Sequence, residues 1–304
     1  MEKRIHYSFD PAKIVSANYR PYVSTWLYRD DHLNEMPNLT KRIFANGSIR
    51  NRAIVIMGDS SGKPYFSLAI DKIPDLNFVS PASGGTQTFS RFRVGQDGEL
   101  IDNITDWART RFARYYNENK PNRIITNDGI FYYVYGVLHD PIYREKYALN
   151  LRREFPRIPF YADFWKWANW GEKLMALHIG YELVQPWPIE RADTADEKSR
   201  KAGLAPKAML KADKENGNIQ LDGETQLTKV PPEAWTYRLG NRSALEWILD
   251  QYKEKTPKDP TIREKFNTYR FADHKEKVID LLRRVTRVSV ETMQIVEAMR
   301  AEKR

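Results

Sequence analysis

The spacing of apolar residues changes character along the chain. Over the first hundred residues, short apolar runs alternate with turn-forming residues, which predicts strands. Arg52–Gly58 (RAIVIMG) is a continuous apolar run, followed by turn-rich Asp59–Pro64 and then Tyr65–Ile70, the pattern of a hairpin. Pro81–Gly85 reads as a loop, and Thr86–Val94 (TQTFSRFRV) as a less regular alternating strand carrying Phe89 and Phe92.

From about residue 102 the period becomes helical. Ile104, Trp107, Ala108, Phe112 and Tyr115 fall on one face, with Arg111 inside that stripe. Asn127 or Asp128 is placed to cap a helix through Leu138. Asp140-Pro141 opens another, with proline at the first helical position, running to about Phe155. A third stripe holds Phe164, Trp167, Ala168, Gly171, Leu174, Met175, His178 and Tyr181, and Pro186 and Pro188 end it.

Residues 190–206 are charged and mixed in sign, which predicts an exposed excursion. Lys207–Val230 reads as a small β-meander, with Asn216-Gly217 and Asp222-Gly223 as turns. Ser243 and Glu246 have the spacing of a capping box. Val278, Leu281, Leu282, Val285, Val288, Thr292, Ile295 and Met299 form one long helical stripe that Asp273 is placed to cap. The expected fold class is α+β: a β-rich part (1–100) packed on a helical part (101–188), then a meander with two C-terminal helices (189–304). No long flexible linker divides these segments, so residues 1–304 are expected to form one domain.

Composition narrows the function classes. With 41% hydrophobic and 29% charged residues the chain is not disordered. Cysteine is absent, which excludes disulfides, thiol nucleophiles and cysteine zinc sites, and fits a reducing cytoplasm. No apolar run approaches a membrane span, and MEKRIHYSFD lacks the apolar core of a signal peptide. The net charge is +9, split as +4 over residues 1–150 and +5 over 151–304. Any basic surface must therefore be assembled by folding.

Catalytic signatures are missing. Gly58–Pro64 (GDSSGKP) imitates a phosphate loop but is one residue short, has Pro64 where a Ser/Thr magnesium ligand belongs, and precedes a strand. None of the five histidines lies in a metal-binding spacing. His178 and Glu182 lie four apart on one helix, which suits a packed histidine with a carboxylate partner, or an acid/base pair. Pro74-Asp75 lacks the following E-x-K of a nuclease, and there is no serine-hydrolase elbow, dinucleotide-binding glycine pattern or methyltransferase tetrad. No cofactor or metal is expected.

What remains is a surface for binding. Lys41, Arg42, Arg50 and Arg52 fall within one stretch without acids. Arg91 and Arg93 flank Phe92, and Arg109, Arg111, Arg114, Lys120 and Arg123 surround a single acid, Glu118. The planar arginine fork suits phosphates and guanine edges. Composition alone does not separate such a surface from a solvated face of ordinary ion pairs.

Several blocks carry a family resemblance. Tyr19-Arg20-Pro21-Tyr22 followed by Trp26-Leu27-Tyr28 resembles the "YRPF…lYy" stretch after the adenine-methyltransferase module of large single-chain restriction–modification enzymes. Ile130–Arg157 with the following IPF, Gly171–Glu182, Tyr237–Trp247 and Val285–Val296 resemble, in order, further blocks of the type ISP group. One departure is Tyr22, where Phe is usual.

The resemblance implies the C-terminal target-recognition, or specificity, domain. Nuclease, ATPase and methyltransferase modules would lie upstream. Such a domain would bind duplex DNA sequence-specifically and position an adenine-specific DNA methyltransferase module. It would hold neither methyl donor nor metal, be non-catalytic on its own, and work in the cytoplasm with no membrane partner. The candidate DNA contacts are Arg91, Arg93, Arg109, Arg114, Lys120 and Arg123, with Arg20, Arg50 and Arg52. Arg111 is left out because it lies in the apolar stripe. Two rival readings are a small-substrate enzyme using His178 and Glu182, and a protein-interaction module.

Overall fold

The computed structural model describes residues 8–34, 39–44, 51–58, 63–79, 85–117 and 123–304. The turn at 59–62, most of the loop at 81–85, Arg50 and Lys120 lie outside the described residues. The fold is α+β.

Strands β1 (Ile14–Arg20) and β2 (Val23–Tyr28) form an antiparallel hairpin. Its tight turn holds Tyr22 at φ +60°, a left-handed conformation unusual for an aromatic residue. Burial offsets that strain: Tyr22 is 3% exposed, and its hydroxyl lies 3.0 Å from that of Tyr237. The hydroxyl that distinguishes Tyr22 from the usual Phe is thus used inside the molecule.

Next come α1 (Thr40–Ile43), β3 (Ala53–Met57), β4 (Ser67–Ile70), β5 (Ile73–Pro74), β6 (Thr86–Ser90), β7 (Phe92–Val94) and β8 (Leu100–Asp102). β3 pairs antiparallel with both β4 and β6, while β5 runs parallel to β1. All five residues of β3 are buried. Alternate side chains point to opposite sides, so Ala53, Val55 and Met57 enter one apolar cluster while Ile54 and Ile56 enter a second. A strand covered on both sides needs a continuous apolar run, which explains RAIVIM.

The strand expected over 86–94 is two strands. β6 pairs with β3, but β7 leaves that sheet and pairs with β8. The break falls at Arg91, whose side chain turns inward.

The helical part is α2 (Asp106–Asn117), α3 (Asn127–Val137), α4 (Pro141–Lys146) and α5 (Phe164–Ile179). Thr126, not Asn127 or Asp128, caps α3, accepting from the Gly129 N–H at 3.0 Å. Asp140 caps α4 with Pro141 at the first position, as expected, but the helix stops at Lys146 and only a 3-10 turn, Asn150–Arg152, follows. α3 and α5 cross in backbone contact. A Cβ on Gly171 would sit 1.8 Å from the Tyr132 carbonyl oxygen, and one on Gly136 would sit 2.4 Å from that of Trp167.

The remaining elements are β9 (Glu190–Asp193), α6 (Glu197–Lys201), β10 (Ala208–Asp213), β11 (Asn218–Asp222), β12 (Thr225–Thr228), α7 (Glu233–Thr236), β13 (Arg238–Leu239), β14 (Arg242–Ser243), α8 (Ala244–Gln251), α9 (Pro260–Lys265) and α10 (Lys275–Arg300). The meander gains an edge strand from the expected excursion, giving the order β10-β11-β12-β9. The capping box forms with both bonds, Glu246 N–H to Ser243 at 3.3 Å and Ser243 N–H to Glu246 at 2.8 Å. Asp273 does not cap α10: it sits in a 3-10 turn, Phe271–His274, and no side chain caps the helix. α10 buries Val278, Leu282, Val285 and Val288 in the first cluster and Met299 in the second. Just beyond it, Arg304 donates from Nε to the fully buried Asp140 carboxylate at 2.8 Å.

Candidate nucleic-acid interface

Helix α2 has two unlike faces. Phe112 and Tyr116, four apart, bury their rings among Tyr133, Phe160 and Phe164, with centroids 4.8 Å (Phe112–Phe160) and 5.2 Å (Tyr116–Phe164) apart. They fix the helix register, and the predicted stripe is rotated from it. Trp107 is 68% exposed and Tyr115 51%. Arg111 is exposed, not paired inside, and its guanidinium stands 5.1 Å from the Trp107 ring centre. Asp106, Trp107, Thr110, Arg111, Arg114 and Tyr115, with Phe160 beside them, line an open cleft of about 760 Å³. Anchoring the stripe on Ala108, Phe112 and Tyr116 would have put Trp107 and Arg111 outside. The large apolar Trp107 pulled the expected stripe off register.

The other predicted arginines divide by burial. Arg93 is exposed on β7 and lines, with Arg42 of α1 and Ile101 of β8, a groove of about 720 Å³. Arg93 and Arg114 pair with no carboxylate among the described residues. Arg109 is exposed and paired with Asp106 at 2.8 Å. Arg123 is exposed and stacks 4.9 Å from the Trp165 ring centre.

Three candidates hold the fold instead of facing outward. Arg91 is 4% exposed, and donates to Asp102 at 2.7 Å and Asp128 at 2.6 Å. Burial works against ionised Asp102, but the bonds from Arg91 and Asn127 outweigh it and hold its carboxyl below the usual range. Arg52 reaches the same Asp128 at 3.3 Å and also the Tyr132 hydroxyl. Arg20 pairs with Asp75 at 3.0 Å and lies 4.0 Å from its neighbour's ring centre, Tyr19. These carboxylates are remote in sequence, so the density of arginine could not reveal them.

His178 is packed, but not against Glu182. Its Nδ1 meets the Tyr135 hydroxyl at 2.5 Å, and its Nε2 lies 2.9 Å from Thr292 Oγ1 and 3.2 Å from the Tyr237 hydroxyl. Glu182 instead accepts from Tyr181 at 3.0 Å and pairs with Lys72 at 3.3 Å. Burial, with the charge of Arg144 second, lowers the His178 pKa to about 3, and His139 is pushed down in the same way. The neutral His178 imidazole joins α3, α5 and α10, so the packed histidine is found without its expected carboxylate partner, and the rival acid/base pair with Glu182 has no hydrogen bond to support it. Among the described residues no group of histidines and carboxylates could hold a metal, and no helix is long and apolar enough to cross a membrane.

Comparisons with known proteins identify the family. A search of curated proteins finds no match. Among solved structures, the chain resembles DrdV, determined by cryo-EM as a DNA complex, at 49% identity and a TM-score of 0.90, over 98% of this chain and 29% of that one. It resembles a nuclease-deletion mutant of the Type ISP restriction-modification enzyme LlaGI, in complex with a DNA substrate mimic, at 28% identity and a TM-score of 0.75, over 99% and 26% of the chains. The ATP-dependent Type ISP enzyme LlaBIII, bound to DNA, shares the fold at 22% identity and a TM-score of 0.76, over all of this chain and 19% of that one. The chain thus spans less than a third of each of these relatives. The model of the Type ISP C-terminal specificity domain matches residues 1–281, and the chain belongs to that family.

Proposed function

We propose that this chain recognises a specific duplex DNA sequence as one target-recognition domain, non-catalytic by itself, of a longer cytoplasmic restriction–modification polypeptide. It would thereby position an adenine-specific methyltransferase module that flips and methylates a base. The observation that carries this reading is the match over 98% of the chain, at 49% identity, to a protein solved on DNA. The exposed arginines fit it. Arg93, Arg109, Arg114 and Arg123 are proposed to face DNA, together with Arg50 and Lys120. Arg20, Arg52 and Arg91 support that surface from within.

In this mechanism arginine contacts to phosphates place the domain, and a few side chains read base edges. The test starts by selecting duplexes from a randomised pool with the purified chain. Affinity for selected and scrambled duplexes is then titrated against salt. Tighter binding to the selected duplex, weakening steeply with salt, is expected. Alanine at Arg93 or Arg123 should reduce the salt slope by about 0.9 for each phosphate that is no longer neutralised. Binding that ignores both sequence and salt would overturn the reading.

A further inference from the structure

We infer that α2 is the element that enters the major groove, and that Trp107, Thr110, Arg111 and Arg114 are its base-reading residues. This rests on the DNA-recognition reading above and deepens it, by separating the groups that read sequence from those that bind phosphate.

The first observation is shape. A twelve-residue helix is about 18 Å long. The major groove is about 12 Å wide and admits one helix. α2 is held from one side only, by the ring cluster around Phe112 and Tyr116, so its opposite side stands clear. Positions 107, 110, 111 and 114 follow the spacing i, i+3, i+4, i+7, which puts them on one face. Helices that read DNA this way use their first turns for base edges, and Trp107, Thr110 and Arg111 lie in the first two turns of α2.

The second observation is the chemistry of that face. A surface that only gripped phosphates would need cations and hydroxyls. Here a 68% exposed tryptophan stands among the cations, where beyond its stack with Arg111 it gains by covering an apolar partner such as a thymine methyl. Thr110 adds a hydroxyl that can donate or accept. Arg111 and Arg114 add planar forks that match guanine O6 and N7. The stack on Trp107, with 5.1 Å between the guanidinium and the ring centre, restrains the Arg111 fork before any ligand arrives.

The third observation is charge. The acid on α2, Asp106, lines the same cleft but is paired with Arg109 at 2.8 Å, and Arg111 and Arg114 pair with no carboxylate among the described residues. A polyanion is therefore the complementary partner, and duplex DNA presents both the charge and the mixed polar and apolar edges that this face matches. Arg93 and Arg123 lie off α2, on β7 and ahead of α3, and suit flanking phosphates.

The experiment compares the motif selected from a randomised duplex pool by the 304-residue chain with those selected by Trp107→Ala, Arg111→Ala, Arg111→Lys and Arg123→Ala. The mutated side chains are exposed, and circular dichroism with a melting curve confirms that each variant folds like the parent. For Arg111→Ala and Arg111→Lys, the preference for the parental motif over a scrambled duplex should fall about 5- to 150-fold, because lysine keeps the charge and loses the fork. Trp107→Ala should relax the preference at one position. Arg123→Ala should weaken all duplexes alike and keep the parental motif.

The proposal is overturned if Arg111→Lys retains full discrimination, which would put Arg111 on a phosphate. It is equally overturned if Trp107 and Arg111 variants bind as the parent does, which would give this face to a protein partner. In both cases a parent that selects a motif leaves the DNA-recognition reading standing. A parent that selects none overturns that reading, and the role of α2 with it.

Discussion

Lowering the pH should unfold this protein through His178, and replacing His178 should remove a measurable part of that sensitivity. The imidazole is buried between Tyr135, Thr292 and Tyr237, with the Arg144 guanidinium and the neutral His139 ring close by, so nothing around it welcomes a second proton. Its pKa is about 3 in the folded protein, against about 6.5 in an unfolded chain. Between these values the unfolded state binds the proton and the folded state does not, so stability falls as the pH drops. The contribution is intact above pH 6.5. It shrinks by about 2 kcal/mol at pH 5 and about 3 kcal/mol at pH 4.

His139 adds to the slope in the same direction, and carboxylates add to it at the acid end. The comparison that isolates His178 is therefore parent against His178→Gln, since the other groups remain in both. At pH 7 the variant should be less stable by about 1–3 kcal/mol, the cost of leaving buried hydroxyls poorly matched. That deficit should narrow by about 2 kcal/mol by pH 5, because glutamine does not titrate. Urea unfolding followed by tryptophan fluorescence at pH 7, 6 and 5 measures both quantities. Parallel curves, with the same deficit at every pH, would refute the buried neutral imidazole. Sequence discrimination on DNA should be unchanged throughout, since His178 lies in the interior.

Gly171→Ala should destabilise the protein by about 1–3 kcal/mol or more, although alanine favours helix by about 1 kcal/mol, because its Cβ would overlap the Tyr132 carbonyl; an unchanged or raised urea midpoint would contradict the α3–α5 contact. Arg91→Met should cost about 1–3 kcal/mol, below the roughly 3–5 kcal/mol of a fully buried broken pair, since Asp102 and Asp128 stay 37% and 48% exposed and can rehydrate. The same variant should still prefer the selected duplex, and loss of that preference at unchanged stability would make Arg91 a DNA contact after all. Finally, the chain alone should transfer no methyl group to DNA, because its sequence lacks the methyltransferase tetrad; labelled DNA after incubation with a labelled methyl donor would show otherwise.

What the sequence determined by itself is what a few neighbouring residues decide. The run RAIVIM had to be a covered strand, Asp140-Pro141 and Ser243–Glu246 had to start helices, and the stripes of α5 and α10 had to be buried. Their causes are pleat alternation, capping bonds and helical period, all acting within one or two turns of chain. The family blocks were readable for the same reason, since they are strings of such residues. The roles of the arginines were not. Arg91 and Arg93 are two residues apart, and only the meeting of Asp102 and Asp128 with the first sends it inside while the second stays in solvent. Trp107 and Arg111 looked buried until Phe112 and Tyr116 met the rings of Phe160 and Phe164 and turned them outward. His178 was readable as packed, but its partners lie 43, 59 and 114 residues away, so Glu182 was the only partner the local sequence could offer. Burial and pairing of a charged group depend on what the rest of the chain brings to it, and the tertiary structure alone decides that.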